Sequence, residues 1–355
     1  MIAMSGGVDS SVAACLLLSQ NFNCVGVTMK LFDNEDIGVE RDDVCCSLRD
    51  VEDARNAAHK LGIPHFVFNL SRDFDERVIR RFVETYLRGG TPNPCIDCNR
   101  YVKFEKLLLR ALEAGNDYIA TGHYARTERT SSGRYLLRKA LDENKDQSYV
   151  LYSMTQAQLA RTLFPLGAMR KPDVREVARA HGFRNASKPD SQDICFVTDG
   201  VYADFIERNS GQPCEPGNFI DTSGNVLGRH GGVVRYTIGQ RRGLGMGFSR
   251  RMYVCGKNVD QNTVTLGDES DLYSKWLYAN EINLIVSDTL NSPMRVKARI
   301  RYRQSEQMAT VEQVKADIIR VEFDEPQRSV TTGQAVVLYD GDLVVGGGTI
   351  TETGI

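Results

Sequence analysis

Three stretches of the chain carry side chains able to do chemistry. The first is Ser5-Gly6-Gly7-Val8-Asp9-Ser10-Ser11. Its glycines let the backbone turn sharply and approach a ligand closely. Its serines add hydroxyl donors, and the first amides of a following helix lack partners and lie at the positive end of its dipole. Together these make a cradle for an anion, and phosphate suits it best. Asp9 would repel a bare phosphate; it fits if a divalent cation travels with the phosphate, or if its carboxylate caps the helix. No lysine follows the glycines, so the loop is not a Walker A motif. The second stretch is Thr91-Pro92-Asn93-Pro94-Cys95-Ile96-Asp97-Cys98-Asn99. Prolines on both sides of Asn93 predict an extended, rigid loop. Three chemistries are open to its Cys-x-x-Cys pair: a zinc site, which lacks a second pair or spaced histidines; a thioredoxin-like redox couple; or sulfur chemistry, with one thiol held against an activated substrate. The third stretch, Lys188-Pro189-Asp190-Ser191-Gln192-Asp193-Ile194-Cys195-Phe196, is polar up to its cysteine. Charges and helix ends there are of the kind that favour a thiolate, although an isolated cysteine is also a small apolar residue suited to a core.

These stretches need elements to position them. Residues 1–4 are apolar and read as a short strand, and Val12, Ala13, Leu16 and Leu17 recur at helical spacing. Strands are expected over 24–29, 65–70 and 117–121, and helices over 50–61, 74–87 and 103–113, the first closed by Gly62 with Pro64 beyond and the second stopped by Gly89-Gly90. Residues 31–44 read as an acidic, irregular loop. Strands alternating with helices predict a parallel α/β sheet, whose ligands bind beyond the carboxyl ends of the strands. The loops Ser5–Ser11 and Thr121-Gly122-His123-Tyr124 both follow strands and should therefore meet at one cleft. There Gly122 would admit a nucleotide, and His123 is either a polar wall or a satisfied core imidazole. A hairpin is expected over 126–138 and a helix over 174–181.

After about residue 205 helical periodicity fades into short alternating runs and glycine turns, with a hairpin signal at Asp340-Gly341. The expected division is 1–205, a catalytic α/β domain; 206–272, a small, mainly β central domain; and 273–355, a β-barrel or sandwich. In Arg295-Val296-Lys297-Ala298-Arg299-Ile300-Arg301-Tyr302-Arg303 every odd position is basic. As one strand it would set five positive charges on one face, about 7 Å apart, a spacing suited to phosphates. Arg235, Arg241 and Arg242 could extend that patch.

A chain of 355 residues with 41% hydrophobic content can build real cores, and a net charge of −2 means that any nucleic-acid surface must be local. No apolar run is long enough to span a bilayer, and the phosphate loop begins almost at the first residue, so the expectation is a protein without a membrane segment or removable signal. Nine cysteines, an odd number, point to a reducing, cytoplasmic setting. Cys15 and Cys24, in apolar runs, read as core thiols.

Ser-Gly-Gly-x-Asp-Ser resembles the PP-loop of the ATP pyrophosphatases, which split ATP between its α and β phosphates and leave an adenylylated substrate. The ordered set SGGVDSS, TPNPCIDCN, ATGHYAR, KDQSYVLY and SQDICF, followed by RYTIGQRRGLG, ARIRYRQ and TGQAVVLYDG, resembles the tRNA-specific 2-thiouridylases, the MnmA family, over essentially the whole chain. The resemblance implies an adenine nucleotide alpha hydrolase-like, Rossmann-like parallel-sheet domain, a small central domain and a C-terminal barrel, the last two in contact with tRNA. It implies sulfur replacing the C2 oxygen of the anticodon wobble uridine, with ATP and Mg2+, and a persulfide donor such as a cysteine desulfurase or sulfur-relay protein. Residue by residue, it implies ATP binding by Ala3, Met4, Ser5, Gly6, Gly7, Val8, Asp9, Ser10, Met29 and Gly122. It makes Cys98 the nucleophile and Cys195 the persulfide carrier, the two able to close a disulfide in turnover. It turns Asn93, Pro94 and Cys95 toward the target base, and His123, Lys145, Asp146, Gln147, Arg301, Tyr302 and Gln334 toward the tRNA. Many members of the family carry an aspartate, proposed as an acid–base group, where this chain has Cys95, whose role is therefore unassigned. Three thiols, Cys95, Cys98 and Cys195, near one cleft also leave an iron–sulfur cluster open.

Overall fold

The computed structural model describes residues 1–32, 48–190, 194–197 and 202–355. The chain separates into two compact units: residues 1–79, 94–198 and 342–344 form the first, and residues 80–93, 199–341 and 345–355 the second.

The first unit is built on a parallel sheet of five strands. These are β1 (Ile2–Ala3), β2 (Gly26–Lys30), β3 (His65–Asn69), β4 (Ile119–Ala120) and β7 (Thr162–Leu163), in the order β3-β2-β1-β4-β7. Helix α1 (Val8–Ser19) follows β1, and its Val12, Ala13, Ala14, Cys15 and Leu17 are all buried. It is covered on nearly every side, against α2 (Leu48–Lys60) and α8 (Lys171–Ala180). The chain order reverses between β1 and β4, so the crevice of this sheet opens at their carboxyl ends. The hairpin β5 (Arg126–Arg129) and β6 (Tyr135–Arg138) forms where the turn residues predict it, and Arg126 and Arg138 both pair with Asp342. The acidic loop expected over 31–44 lies, past residue 32, outside the described residues.

One expectation fails at the cysteine motif. Residues 91–93 belong to no helix or strand, but Pro94 opens a helix, α5 (Pro94–Asp97), which continues as a π-helix over Cys98–Leu107 and as α6 (Leu108–Glu113). The helix expected over 103–113 therefore begins nine residues earlier, and both cysteines ride on it. The physical reason is that proline is well suited to the first helical turn, where its missing N–H has no partner to lose. A similar composite precedes it: α3 (Ser71–Phe74) leads into a π-helix over Asp75–Ile79, after which α4 (Arg80–Leu87) is counted in the second unit. Helix α7 (Gln156–Ala160) carries a capping box at Thr155 and Gln158.

The second unit holds α9 (Tyr202–Ser210) and two β assemblies, each with its own core. A four-stranded sheet runs β10 (Tyr253–Asn258), β11 (Thr263–Gly267), β8 (Gly217–Ile220), β9 (Val226–His230). Strands β12 (Tyr273–Leu284), β13 (Met294–Arg299), β14 (Gln307–Lys315), β15 (Ile318–Arg328), β16 (Ala335–Asp340) and β17 (Leu343–Gly354) run in the order β12-β15-β14-β13-β16-β17, and β12 also pairs with β17. The last pairing closes a six-stranded barrel rather than a sandwich. Its interior takes Val296 and Ala298 from β13, Val311 from β14 and Val321 and Phe323 from β15, all buried, in alternation with outward residues.

The five-charge face does not form. Strand β13 ends at Arg299, so Arg301 and Arg303 lie in the turn beyond it. Arg295 makes a two-pronged pair with Asp324 at 2.8 and 2.7 Å, and Arg299 pairs with Glu306 at 2.9 Å. Carboxylates on neighbouring segments answer the self-repulsion that the sequence alone left for a phosphate backbone. Lys297 remains exposed on this strand.

Candidate active site

The turn after β1 is built as its residues require. Gly6 has φ +72°, and a Cβ there would lie 2.4 Å from the carbonyl oxygen of Asp50, so only glycine fits. Gly7 is the N-cap of α1 without a side-chain cap. Ser10 closes the turn from inside: its hydroxyl donates to Gly7 O at 3.0 Å and accepts from Ser5 N at 3.2 Å. The first amides of α1 lie at the positive end of a buried twelve-residue helix. Ala3 and Met4 end β1, and Met29, on β2, lies two residues beyond the partner of Ala3, toward the same carboxyl edge.

Asp9 does not cap the helix. Its carboxylate accepts from Tyr124 Oη at 2.8 Å and from Lys171 Nζ at 2.8 and 2.7 Å. Lys171, only 6% exposed, also donates to Asp190 at 2.7 Å, and Asp190 takes a second lysine, Lys145, at 2.7 Å. Burial works against ionisation of Asp190, but the two lysines outweigh it and hold its carboxyl below the usual range. A second clamp grips the loop from α2's side. Asn185 Nδ2 donates to Gly6 O at 2.9 Å and to Ser11 Oγ at 3.0 Å, while Lys188 pairs with Asp50 and Asp53 at 2.6 and 2.8 Å. The phosphate loop is thus held rigid by residues more than a hundred positions away.

The two post-strand loops do meet, and Gly122 is the reason. A Cβ at Gly122 would lie 2.8 Å from Ser10 N and 2.9 Å from Asp9 C. Its missing side chain serves the contact between the loops. Gly122→Ala should push the β4 loop off the start of α1 and destabilise the fold by about 1–3 kcal/mol, the usual cost of overpacking. Urea titration checks this, and an unchanged midpoint would show that the loops tolerate separation.

His123 is wedged against Phe104 and Phe164, and its Nδ1 lies 2.7 Å from Thr121 Oγ1. Burial, with Lys103 adding to it, holds its pKa well below the ordinary value, so it is a neutral imidazole. Of the segment expected to touch RNA, Asp146 is turned inward: its carboxylate accepts from Ala140 N, Ser148 N and Ser148 Oγ at 3.0, 3.2 and 2.8 Å. Gln147 Oε1 accepts from Tyr124 N at 2.9 Å, and Lys145 is engaged by Asp190. In this structure these three side chains brace the site.

Cys98 is buried at the start of the π-helix, and Cys95, one turn earlier, is exposed. Burial pushes the Cys98 thiol up to about 11; Lys103 pulls it down, and Cys95 and Asp97 push it up further. A chain of hydrogen bonds ties this helix to the phosphate loop. Asn99 Nδ2 donates to Val150 O at 3.0 Å, three residues from Gln147; Gln147 holds Tyr124; and Tyr124 holds Asp9. Cys195 lies in residues 194–197, next to Phe196, which is fully buried with its ring 5.6 Å from Phe74. Cys15, expected as a plain core thiol, is buried with its sulfur 3.2 Å from His181 Nε2, and Cys24 is only partly buried.

Among the described residues no group of three or more histidine, cysteine or acidic side chains is gathered to hold a metal ion. Cys95, Cys98 and Cys195 are not gathered into such a group, and the iron–sulfur expectation finds no support here. In the second unit, Gln334 Nε2 donates to Thr91 O and Pro92 O at 2.9 and 3.3 Å, and so holds the segment that leads to Asn93. Arg301 is spent partly on Ser329 O at 2.8 Å, while Tyr302 is exposed.

Tyr124, Lys171, Asn185 and Asn99 are site residues that the sequence reading did not single out. Tyr124 and Asn99 stood inside quoted motifs, whereas Lys171 and Asn185 carried no local signal.

Family models match in three consecutive pieces: a tRNA methyl transferase HUP domain over residues 1–199, a tRNA methyl transferase PRC-barrel domain over 203–268 and an aminomethyltransferase β-barrel domain over 274–350. The chain is similar to the tRNA-specific 2-thiouridylase MnmA of Clostridioides difficile, 51% identical over 354 residues, with 99% of this chain and 98% of that protein covered. It is similar to the protein of that name from Acetivibrio thermocellus, 51% identical over 352 residues with 99% and 98% covered, and to that of Lachnoclostridium phytofermentans, 49% identical over 353 residues with 99% of each covered.

Proposed function

The chain belongs to the tRNA-specific 2-thiouridylase family, and from that premise we propose that it exchanges the C2 oxygen of the anticodon wobble uridine in tRNA for sulfur, while ATP becomes AMP and pyrophosphate. The observation that carries this reading is the hydrogen-bonded path from the Cys98 helix to the phosphate loop through Asn99, Gln147, Tyr124 and Asp9. It ties a buried thiol to a nucleotide cradle, as activation followed by sulfur attack requires.

A uracil C2 oxygen is a poor leaving group, and attaching AMP to it makes a good one. Ala3–Ser10, Met29 and Gly122 form the ATP site, where the amides at the start of α1 oppose charge on the phosphates. The Mg2+ that accompanies ATP offsets further phosphate charge. Lys171 already occupies both oxygens of Asp9; Asp9 accordingly serves as the anchor of the loop. A persulfide on Cys195, loaded by a sulfur donor, attacks C2 through its outer sulfur and expels AMP with the original oxygen. The Cys98 thiolate then attacks the inner sulfur. The S–S bond breaks, 2-thiouridine leaves with the outer sulfur, and a Cys98–Cys195 disulfide forms that a thiol reductant reopens. To reach the site the base must leave its stack. We assign Asn93, Pro94 and Cys95 to the base; His123, Lys145 and Gln147 of the first unit, with Asp146 acting from behind, and Arg301, Tyr302 and Gln334 of the second are assigned to tRNA contact. We place the divisions at 205/206 and 272/273; the matched family segments also number three, over 1–199, 203–268 and 274–350, the second starting ahead of the first of these divisions. No helix among the described residues is long and apolar enough to cross a membrane, and we place the enzyme in the cytoplasm, where its substrate is.

Incubation of the full chain with ATP, tRNA and a persulfide donor should yield 2-thiouridine by nucleoside mass spectrometry. Unmodified or methylated uridine in its place would overturn the reading. Cys95→Asp, which restores the residue common in the family, should keep thiolation within about threefold, since Cys95 is exposed and its replacement buries no charge. Loss of activity in that variant would assign the Cys95 thiol a role of its own.

A further inference from the structure

Strand β3 ends the parallel sheet, and among the described residues it pairs with β2 alone. Its residues, His65-Phe66-Val67-Phe68-Asn69, include no lysine, proline or acidic side chain, and its pairing with β2 has no bulge. Those are the usual guards against edge-to-edge pairing. Other edge strands keep a guard: β7, at the far side of the same sheet, is two residues long, and the outer strands of the four-stranded sheet, β9 and β10, carry Arg229 and Lys257. Phe66 is 55% exposed and Val67 43%, and among the described residues no aromatic side chain is more exposed than Phe66. We propose that β3 pairs antiparallel with β3 of a second copy of this chain, about a two-fold axis through Val67. This goes beyond the thiolation reading and does not depend on it.

Two observations commit the edge to a copy of itself. The first is main-chain direction. Pro64 O accepts from Gly26 N at 2.8 Å, and Leu70 N donates to Lys30 O at 2.9 Å. Residues 64 and 70 therefore face β2, and so do 66 and 68, because alternate residues of a strand turn their main-chain groups to the same side. His65, Val67 and Asn69 turn their N–H and C=O outward. The second is the symmetry of the strand about Val67: a phenylalanine stands one step away on either side, and a polar residue two steps away. An antiparallel register centred there lets Val67 exchange both its bonds with Val67 of the second copy, and His65 exchange both with Asn69 of the second copy. On one face Phe66 meets Phe68 of the second copy, twice by symmetry, as an aromatic cross-strand pair. An isologous two-fold contact requires this self-complementarity, whereas pairing with a strand of another protein does not. The His65 ring leaves the edge clear, since its Nε2 lies 2.9 Å from Thr28 Oγ1 on β2. Helix α6 adds apolar surface alongside: Arg110 lies 5.7 Å over the Phe68 ring, and Leu109 and Leu112 are exposed.

Sedimentation velocity of the full chain across a concentration series tests the pairing. The expected result is a monomer–dimer equilibrium without larger species, because a two-fold contact closes on itself. Val67→Lys sets two ammonium groups directly opposite each other on the axis and should raise the dimer Kd about tenfold or more. Val67→Cys reads the register. Directly opposed, hydrogen-bonded residues lie about 5.5 Å apart at Cα, within disulfide reach. A mild oxidant, taking up the two electrons that the thiols lose, should therefore join two copies at position 67, a link that peptide mass spectrometry identifies. Leu141→Cys, at an exposed position outside β3 and α6, is the collision control. Should Val67→Lys fail to fold, Val67→Cys carries the test. A chain that stays monomeric across the series, a dimer unmoved by Val67→Lys, or a link no faster than the control would overturn the proposal. So would a ladder of larger assemblies, which an open adhesive edge gives and a closed pair does not.

Discussion

Cys98→Ser should abolish 2-thiouridine formation and leave tRNA-dependent release of pyrophosphate from ATP intact. A hydroxyl at this position cannot attack a disulfide-level sulfur, because serine is a far weaker nucleophile than a thiol and forms no stable bond to sulfur. The expected loss is at least about a thousandfold, the scale seen when a covalent nucleophile is removed. Adenylylation survives because the cradle at Gly6, Gly7 and α1 is braced by Asn185, Lys188 and Lys171, none of which touches the thiol. The substitution is close to isosteric at a buried site, so the fold should persist. Two measurements separate the half-reactions: nucleoside mass spectrometry for sulfur, and a coupled assay for pyrophosphate. Full thiolation in this variant would remove Cys98 from the mechanism; loss of both activities would make it structural.

Lys171→Met should be the most damaging change outside the thiols. Lys171 bonds both oxygens of Asp9 and one oxygen of Asp190 from a buried position. Removing it leaves two carboxylates with one partner fewer each, and breaking a buried pair from one side costs about 3 kcal/mol or more. The released Asp9 then keeps only Tyr124 as a partner and sits as a negative charge two residues from the N-cap Gly7, where the phosphates must bind. Pyrophosphate release should fall with stability. The pH dependence has a definite sign. The Asp190 carboxyl is held low in the folded protein, so its pairing stabilises fully above the ordinary carboxylate pKa of about 4 and is lost as pH falls through the depressed folded value. The deficit of Lys171→Met should therefore be largest near neutrality and narrow below about pH 4. Urea titrations of both proteins at three pH values check this; a deficit that does not change with pH would mean the lysine acts through packing alone.

The two variants probe residues that differ in how visible they were. Cys98 could be chosen from its motif, because a thiol in an ordered set of short motifs is a chemical signal that survives without coordinates. The same holds for Gly6 and Gly7, whose lack of side chain between an apolar run and a helical one has few other uses. Lys171 could not be chosen. A lysine ahead of a proline at a helix start looks like any solvent-facing charge until folding sets it against Asp9. The basic run from Arg295 to Arg303 errs in the opposite direction. Alternation made it look like an RNA-facing strand, yet Asp324 and Glu306, on other segments, neutralise two of its arginines.

The sequence by itself determined the local chemistry: the anion cradle, the paired thiols, the parallel α/β order of the first half and the β character of the second. These follow from periodicity, turn residues and nucleophile type, all of which act over a few positions. The tertiary structure alone decided that the cysteine motif is helical and π-wound, that Gly122 serves a loop contact, that Asp146 points inward, and that three lysines hold the site. Those outcomes depend on which distant groups share a volume too small for unpaired charge, and chain spacing does not encode that.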